Sequence, residues 1–439
     1  MDKKGSVTVL AMMFFVSLVS MMLIFIDVSK KTAVASAAGE LTHLWCSSIL
    51  GEYDRDLKDR YDIFGFRGMP PEVCEKIDGL AADSFDGKDY IEYGGSSCEL
   101  YAYSLAATEA FKKQVVYVGG LCAAGSLLPG SGGAGSSGSG NMENAEITAS
   151  AVLDSLPSAG SSGGISLEGL KEAVKNLGSL SDVIKLGTDK FFENKYIFSY
   201  FKSKTDDHGV GETWFRNEIE YIICGKKSDQ GNEKGVKTRI IAIREVMNML
   251  YIMQDPEMEE ITLAAAEILT PGAAAPVTQK LLEAAWALAE SNNDYKLLVN
   301  GKKVPAMKDK DSWAIDLESI VKGGLNVNAS GQHGTEADGG MPEILPGSDG
   351  ENELPELKEE VAYVDPGNGT GDTYDDYLAF MTYVMGEDIK LLRMMDLIQI
   401  DIRYTKNGGF LIQEHNAGLS MKISVNGEIY EAEKEYIKS

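Results

Sequence analysis

Residues 7–26 read VTVLAMMFFVSLVSMMLIFI, 20 consecutive positions without a charge. At 1.5 Å per residue a helix of that length spans ~30 Å, the thickness of a bilayer's hydrocarbon core, and a helix satisfies its own backbone polar groups in lipid. The stretch therefore predicts a transmembrane helix. A buried core helix is the first rival reading, but it does not ask for unbroken hydrophobicity at the N-terminus. A cleaved signal peptide is the second, because Ala35-Ser36-Ala37 has the small-x-small form. The apolar run exceeds the ~7–15 residues of a secretory core, however, and that site lies well past its end. We expect a retained anchor.

Outward from the run, Lys3 and Lys4 flank one side and Lys30 and Lys31 the other. The free amino terminus tips the count toward a cytoplasmic N-terminus, and long acidic domains translocate largely regardless of charge. The expected location is the cell membrane, single-pass, with the C-terminal domain outside. From residue 27 to 60 there is no proline, and the only glycines are Gly39 and Gly51. Val34, Ala38, Leu41, Trp45 and Ile49 recur at three-to-four spacing and make one apolar stripe. This predicts a helix that is anchored in lipid in its first half and packs outside it in its second.

The 439 residues are 44% hydrophobic, enough to bury a sizeable core. Lys plus Arg is 41 against 67 Asp plus Glu, a net charge of −26. That balance argues against nucleic acid as a partner, because phosphate binding needs a basic footprint. The 5 cysteines include no C-x-x-C pair, so a zinc ribbon or thioredoxin-type site is unsupported. Cys74, Cys98 and Cys122 are each 24 residues apart. Buried free thiols are the preferred reading, with one disulfide outside the cell as the alternative.

Composition divides the rest. Residues 130–140 (GSGGAGSSGSG) and 158–164 (SAGSSGG) read as flexible coil. Residues 331–376 hold 13 acidic residues against Lys358 alone, with 4 prolines, and read as an extended, self-repelling linker. The expected organisation is an anchor at 1–29, a juxtamembrane helical stem and N-proximal unit at 30–120, and a Gly/Ser-rich linker at 121–164. A main helical domain at 165–330, an acidic linker at 331–376 and a unit at 377–439 packed on the main domain complete it. Within the main domain, residues 238–253 are apolar nearly all round, which implies burial on more than one face. Pro276 suits a first helical turn, and Val277, Leu281, Leu282, Ala285, Leu288 and Ala289 form the stripe of the helix that follows. Residues 376–403 predict another helix with Gly386 as its break. Residues 410–413 are a short strand candidate. MKISV, Asn426-Gly427 and EIYEA predict a type I′ hairpin, with Val425 opposite Glu428 and Ile423 opposite Tyr430. The fold class is α+β, mainly α, with a small C-terminal β-hairpin.

Several chemical readings fail on context. Gly130-x-Gly132-x-x-Gly135 matches a dinucleotide fingerprint and Gly160-x-Ser162-x-Gly164 a nucleophile elbow, but neither sits between a strand and a helix. DPGNGTGDTYDD lacks the carboxylate spacing of a calcium loop. His43 and Cys46 share a helix face but no third ligand is near; His208, His333 and His415 join no motif. Glu52, Asp54, Asp56 and Asp59 alternate with Arg55, Lys58 and Arg60, which reads as helix-surface ion pairs with Tyr53, Leu57 and Tyr61 on the packing face. The methionines at 247, 249, 253, 394 and 395 read as core filling. No catalytic residue, metal or cofactor is predicted, and the expectation is a non-enzymatic protein.

The head KKGSVTVLAMMFFVSLVSMMLIFIDVSKKTAVASAAGEL resembles that of TadE/TadG-like proteins of the Tad (Flp) pilus system. It has the basic pair, a small residue, the long apolar run and an aspartate at its far end, matched by Asp27. EYDRDLKDRYDIFGF, NEIEYIICGKKSD, AAWALAESNNDYKLLVNGKKVP and YDDYLAFMTYVMGEDIKLLRMMDLIQIDIR resemble a domain of unknown function found behind such heads in Gram-positive anaerobes. The resemblance implies a pilin-like stem and pilus-assembly partners, with prepilin-type processing between Gly5 and Ser6. Prepilins place a glutamate five residues on, where this chain has Leu10, so the head fits an anchored, pseudopilin-like assembly component better than a major pilin. An anchored extracellular binding or adhesion module, unconnected with a filament, is the alternative.

Overall fold

Helix α1 runs unbroken from Lys3 to Leu50. The computed structural model describes residues 3–125, 152–161, 163–175, 180–206, 211–322, 363–367 and 369–437. The tract at 130–140, Ser162, His208, His333 and most of the acidic segment (331–362) lie outside the described residues. The fold is mainly helical with a small antiparallel sheet, as the sequence predicts.

The chain forms two compact units that interleave along the sequence: residues 1–164, 185–229 and 385–439 make one, residues 165–184 and 230–384 the other. They are not the successive blocks that the linkers suggest. The first unit holds α1, α2 (Arg55–Tyr61), α3 (Pro70–Phe85) and α4 (Thr108–Gly125) from its N-terminal part. It also holds α6 (Asp189–Tyr200), α7 (Glu218–Cys224) and α13 (Glu387–Thr405). Its main sheet has the order β2-β4-β5, from Tyr93–Glu99, Gly418–Val425 and Glu428–Glu435, all antiparallel. Phe66–Arg67 (β1) pairs with His415–Asn416 (β3) in a second, two-stranded ribbon.

The hairpin has the predicted register, Val425 opposite Glu428 and Ile423 opposite Tyr430. Asn426 and Gly427 take φ of 54° and 79°, the left-handed pair that a type I′ turn requires. Ile423 and Val425 are buried. The hairpin joins β2 and packs on α1. The β2 segment YGGSSCE carries two glycines and two serines, residues with poor strand propensity, which hides it from a sequence reading. Residues 410–413 are not a strand. The Phe410 carbonyl accepts from Arg403 Nε at 2.8 Å and the Ile412 N–H donates to Gln399 Oε1 at 3.1 Å, so side chains of α13 take the groups a ladder would need. Composition also misleads at residues 158–164. Ser158 N donates to Asp396 Oδ1 at 2.9 Å, and Arg393 Nη2 donates to the Gly163 carbonyl at 3.0 Å, so this tract is held on α13.

The second unit contains α5 (Leu167–Val174), all of α8 (Asp229–Gln254) but its first residue, and α9 (Pro256–Leu269). With them are α10 (Ala275–Val299), α11 (Leu317–Lys322) and α12 (Tyr374–Val384). Ile252, Met258, Trp286, Ala287 and Leu317 form a core among α8–α11. Residues 238–253 lie within α8 and bury Ile240, Ile241, Ala242 and Ile243 in succession, so more than one face is covered. Pro276 stands in the first turn of α10, and Gly386 is the N-cap of α13 after α12. The α10 stripe needs correction. Val277 is 67% exposed and Leu281 40%, whereas Leu282, Glu283, Trp286, Glu290 and Asp294 are buried. Of the predicted stripe Leu282 is buried and Ala285, Leu288 and Ala289 are half-buried; the inward face carries paired charges beside Leu282, Trp286 and Ala287.

Candidate membrane anchor and stem-docking site

The two halves of α1 differ in what covers them. Phe14 is 74% exposed and Phe25 72%, and the apolar side chains around them are exposed as well. It is the one helix among the described residues that is long and apolar enough to cross a membrane. Val34, Ala38, Trp45, Cys46 and Ile49 are buried, and Leu41 packs partly buried beside them. This is the predicted stripe. The helix passes from one regime to the other without a break, because it has no proline and Gly39 is its only glycine past Gly5.

The stripe docks on the sheet and on α3. Leu419, Met421, Ile423 and Val425 of β4, with Ala432 of β5, complete its core. Trp45 meets Phe85 of α3 edge to face, with ring centroids 5.9 Å apart, and Phe85 in turn lies 6.1 Å from Tyr93 of β2. Burial of Val34, Trp45 and Ile49 stabilises the contact by roughly 1.5–3 kcal/mol each. Polar bonds finish the helix end: Tyr436 donates its hydroxyl to the Leu50 carbonyl, and Lys434 donates to Ser47 Oγ. Burial pushes the Cys46 thiol up to about 11, against the pull of the Lys434 charge, and its Sγ faces the Ala432 carbonyl at 3.8 Å.

The candidate residues fall as follows. Gly5 and Ser6 lie in the helical backbone near the start of α1. Asp27 marks the end of the apolar run but not of the helix. It is exposed and pairs with Lys31 Nζ at 3.1 Å, one turn on, a contact worth a few tenths of a kcal/mol. Ala35, Ser36 and Ala37 are helical, between buried Val34 and Ala38. His43 is exposed while Cys46 is buried, so the two do not converge. Among the described residues no group of three or more His, Cys, Asp or Glu could hold a metal ion.

The charged segment at 52–60 is not a simple surface ladder. Asp54 caps α2 through Leu57 N at 2.9 Å and lies 3.3 Å from Nε2 of buried His415. Burial alone would raise the Asp54 carboxyl, but the hydrogen bonds with His415 and Leu57 N bring it below its usual value. Glu52 pairs with Lys76 of α3. Leu57 and Tyr61 are buried as expected, whereas Tyr53 is 39% exposed. Arg60 reaches α13: Nη1 donates to Thr405 Oγ1 at 2.7 Å, and Nη2 lies 3.9 Å from Asp401.

The sequence reading missed the buried polar ties. Asp401 accepts from the Tyr61 hydroxyl and from Trp214 N, each at 2.8 Å. Glu218 is fully buried beside it; burial first, then the Asp401 charge, holds its carboxyl well above the usual range. Paired carboxyls can do acid–base chemistry, but both here are sealed from solvent, and they join α2, α7 and α13. Arg393 Nη1 caps the end of α7 through the Ile222 and Ile223 carbonyls, both at 2.8 Å. In the second unit Arg244 donates Nε to Asp294 Oδ2 at 2.9 Å and Nη2 to Asn248 Oδ1 at 3.0 Å. Lys308 pairs with Asp294 at 2.6 Å and with Glu290. A usable signal was present: Arg244 and Asn248, and Glu290 and Asp294, stand four apart in their helices, one above the other on the same face.

The family described as "Family of unknown function (DUF5702)" matches residues 140–427. No curated protein and no solved structure matches the chain. Three of the four blocks quoted above fall inside the matched range; EYDRDLKDRYDIFGF and the head fall before it. The chain belongs to this family of unknown function, DUF5702.

Proposed function

We propose that the protein is a membrane-anchored, non-enzymatic surface component of the TadE/TadG-like, pilus-assembly kind. The first half of α1 lies in lipid, the N-terminus is cytoplasmic and the acidic remainder is outside. The observation that carries this reading is the change of character along one unbroken helix, from exposed apolar side chains before Asp27 to a stripe docked on a sheet after Val34. A protein that only needed a leader would have no use for such continuity. Helical Ala35-Ser36-Ala37, with packed neighbours on both sides, also makes a poor cleavage site, since proteases favour exposed, extended loops.

The test is a C-terminal fusion to a reporter active only outside the cytoplasm, combined with carbonate extraction and mass measurement of the mature N-terminus. An active reporter on a chain that resists extraction and retains residues 7–26 supports the reading; an inactive reporter, or a chain beginning near Ala38, overturns it. Co-purification then separates the two functional classes. Pilus-assembly proteins are expected to come with the detergent-solubilised chain, and an external ligand without them would favour the adhesion alternative.

A further inference from the structure

Cys74 of α3 and Cys98 of β2 place their sulfurs 3.3 Å apart. The helix is registered on this edge strand by Asp78, one turn after Cys74, whose Oδ1 accepts from the Tyr93 hydroxyl and from Ser96 Oγ, both at 2.6 Å. Ser96 Oγ also lies 3.3 Å from the Cys74 carbonyl oxygen. These bonds hold one side of the pair, and on the other Cys98 Sγ donates to the Pro70 carbonyl at 3.2 Å. A disulfide needs the sulfurs to close by roughly 1.3 Å, which rotation about the two Cα–Cβ bonds supplies. Both side chains are partly exposed, so an oxidant reaches them, unlike fully buried Cys46. The equal spacing of Cys74, Cys98 and Cys122 in sequence is resolved in space, because Cys122 lies by Tyr200 instead.

We infer that Cys74 and Cys98 form a disulfide that staples α3 to the edge of the sheet. The inference rests on the external location proposed above for its oxidant, an exported dithiol–disulfide exchange protein or a low-molecular-weight disulfide. One thiolate attacks the oxidant's disulfide and forms a mixed disulfide; the second displaces the remaining oxidant sulfur. The S–S bond forms, the oxidant's S–S bond breaks, and the two cysteine protons end on the two thiols that leave. Burial and the neighbouring Cys74 sulfur push the Cys98 thiol up to about 12, so the exchange quickens as the pH rises.

The test uses the full chain in detergent, reduced and then equilibrated with oxidised glutathione, acid-quenched, alkylated and digested with trypsin. Residues 68–76 (GMPPEVCEK) and 89–112 carry one cysteine each. The expected product is these two peptides linked, lighter by two hydrogens than their sum, and lost in Cys98→Ser. Recovery of both as alkylated free peptides, or linked only to other cysteines, overturns the inference. A second arm alkylates intact cells at harvest. The linked peptides there support the inference. Free thiols in cells whose C-terminal reporter is active overturn it and leave the proposed function standing. Free thiols with an inactive reporter overturn the external location and the inference with it.

Discussion

Asp294→Asn removes one charge from a closed set. Arg244 and Lys308 bring two positive charges and Asp294 and Glu290 two negative, all within a few ångströms and buried. The amide keeps the shape of the carboxylate but leaves one cation in excess where no water can solvate it. Breaking a buried pair from one side costs ~3–5 kcal/mol. Local hydrogen exchange in α8 and α10 reads that loss directly, because their openings need the network to part. At a factor of ten per ~1.4 kcal/mol, exchange of peptides from these helices should speed up by roughly two to four orders of magnitude at neutral pH. The pH dependence has a defined sign. Burial alone would raise the Asp294 carboxyl, but Arg244 first, then Lys308, hold it below its ordinary value. A depressed folded value gives stability that is present above the unfolded value of ~3.9 and is lost as the pH falls through the folded one. Wild type and variant should therefore converge in strong acid. Unchanged protection in α8 and α10 at pH 7 would refute the network as described.

Trp45→Ala should destabilise the stem–sheet contact by ~3–5 kcal/mol, the usual loss for a buried aromatic, seen as faster exchange in β4 and β5 with α8 unaffected. Asp54→Asn should weaken the first unit at neutral pH and lose its effect in acid, since the Asp54 carboxyl is also held below its usual value; a chemical-denaturation series across pH checks this. Gly119→Ala should force α4 from α6, because a Cβ there would stand 2.0 Å from the Phe192 carbonyl oxygen; circular dichroism should give a lower melting temperature, and an unchanged one would contradict the close approach.

What could be read from the sequence was periodic or local. The apolar run, the stripe from Val34 to Ile49, the Asn426-Gly427 turn and the break at Gly386 each announce themselves within a few residues. What could not be read depended on partners far along the chain. Strand β2 is composed of residues that avoid strands and exists because β4 pairs with it. The inward face of α10 contains Glu290 and Asp294, which look like surface until Lys308 and Arg244 are placed beside them. Residues 158–164 have a linker's composition, yet Asp396 holds Ser158 and Arg393 holds Gly163. The long apolar helix and its docking stripe were therefore legible, while the buried charges beneath the rest of the fold were not.

The docking of α1 on the C-terminal hairpin has a consequence for biogenesis. Cys46 and Ala432 touch across a separation of 386 residues, so the stem's greasy side emerges from the ribosome long before its cover is synthesised. Until the last strand is synthesised, that side has no native mate, and nascent chains can pair there with each other. A holding chaperone on that side would protect this interval, and a stop codon even a few dozen residues early would leave a stem that can never close.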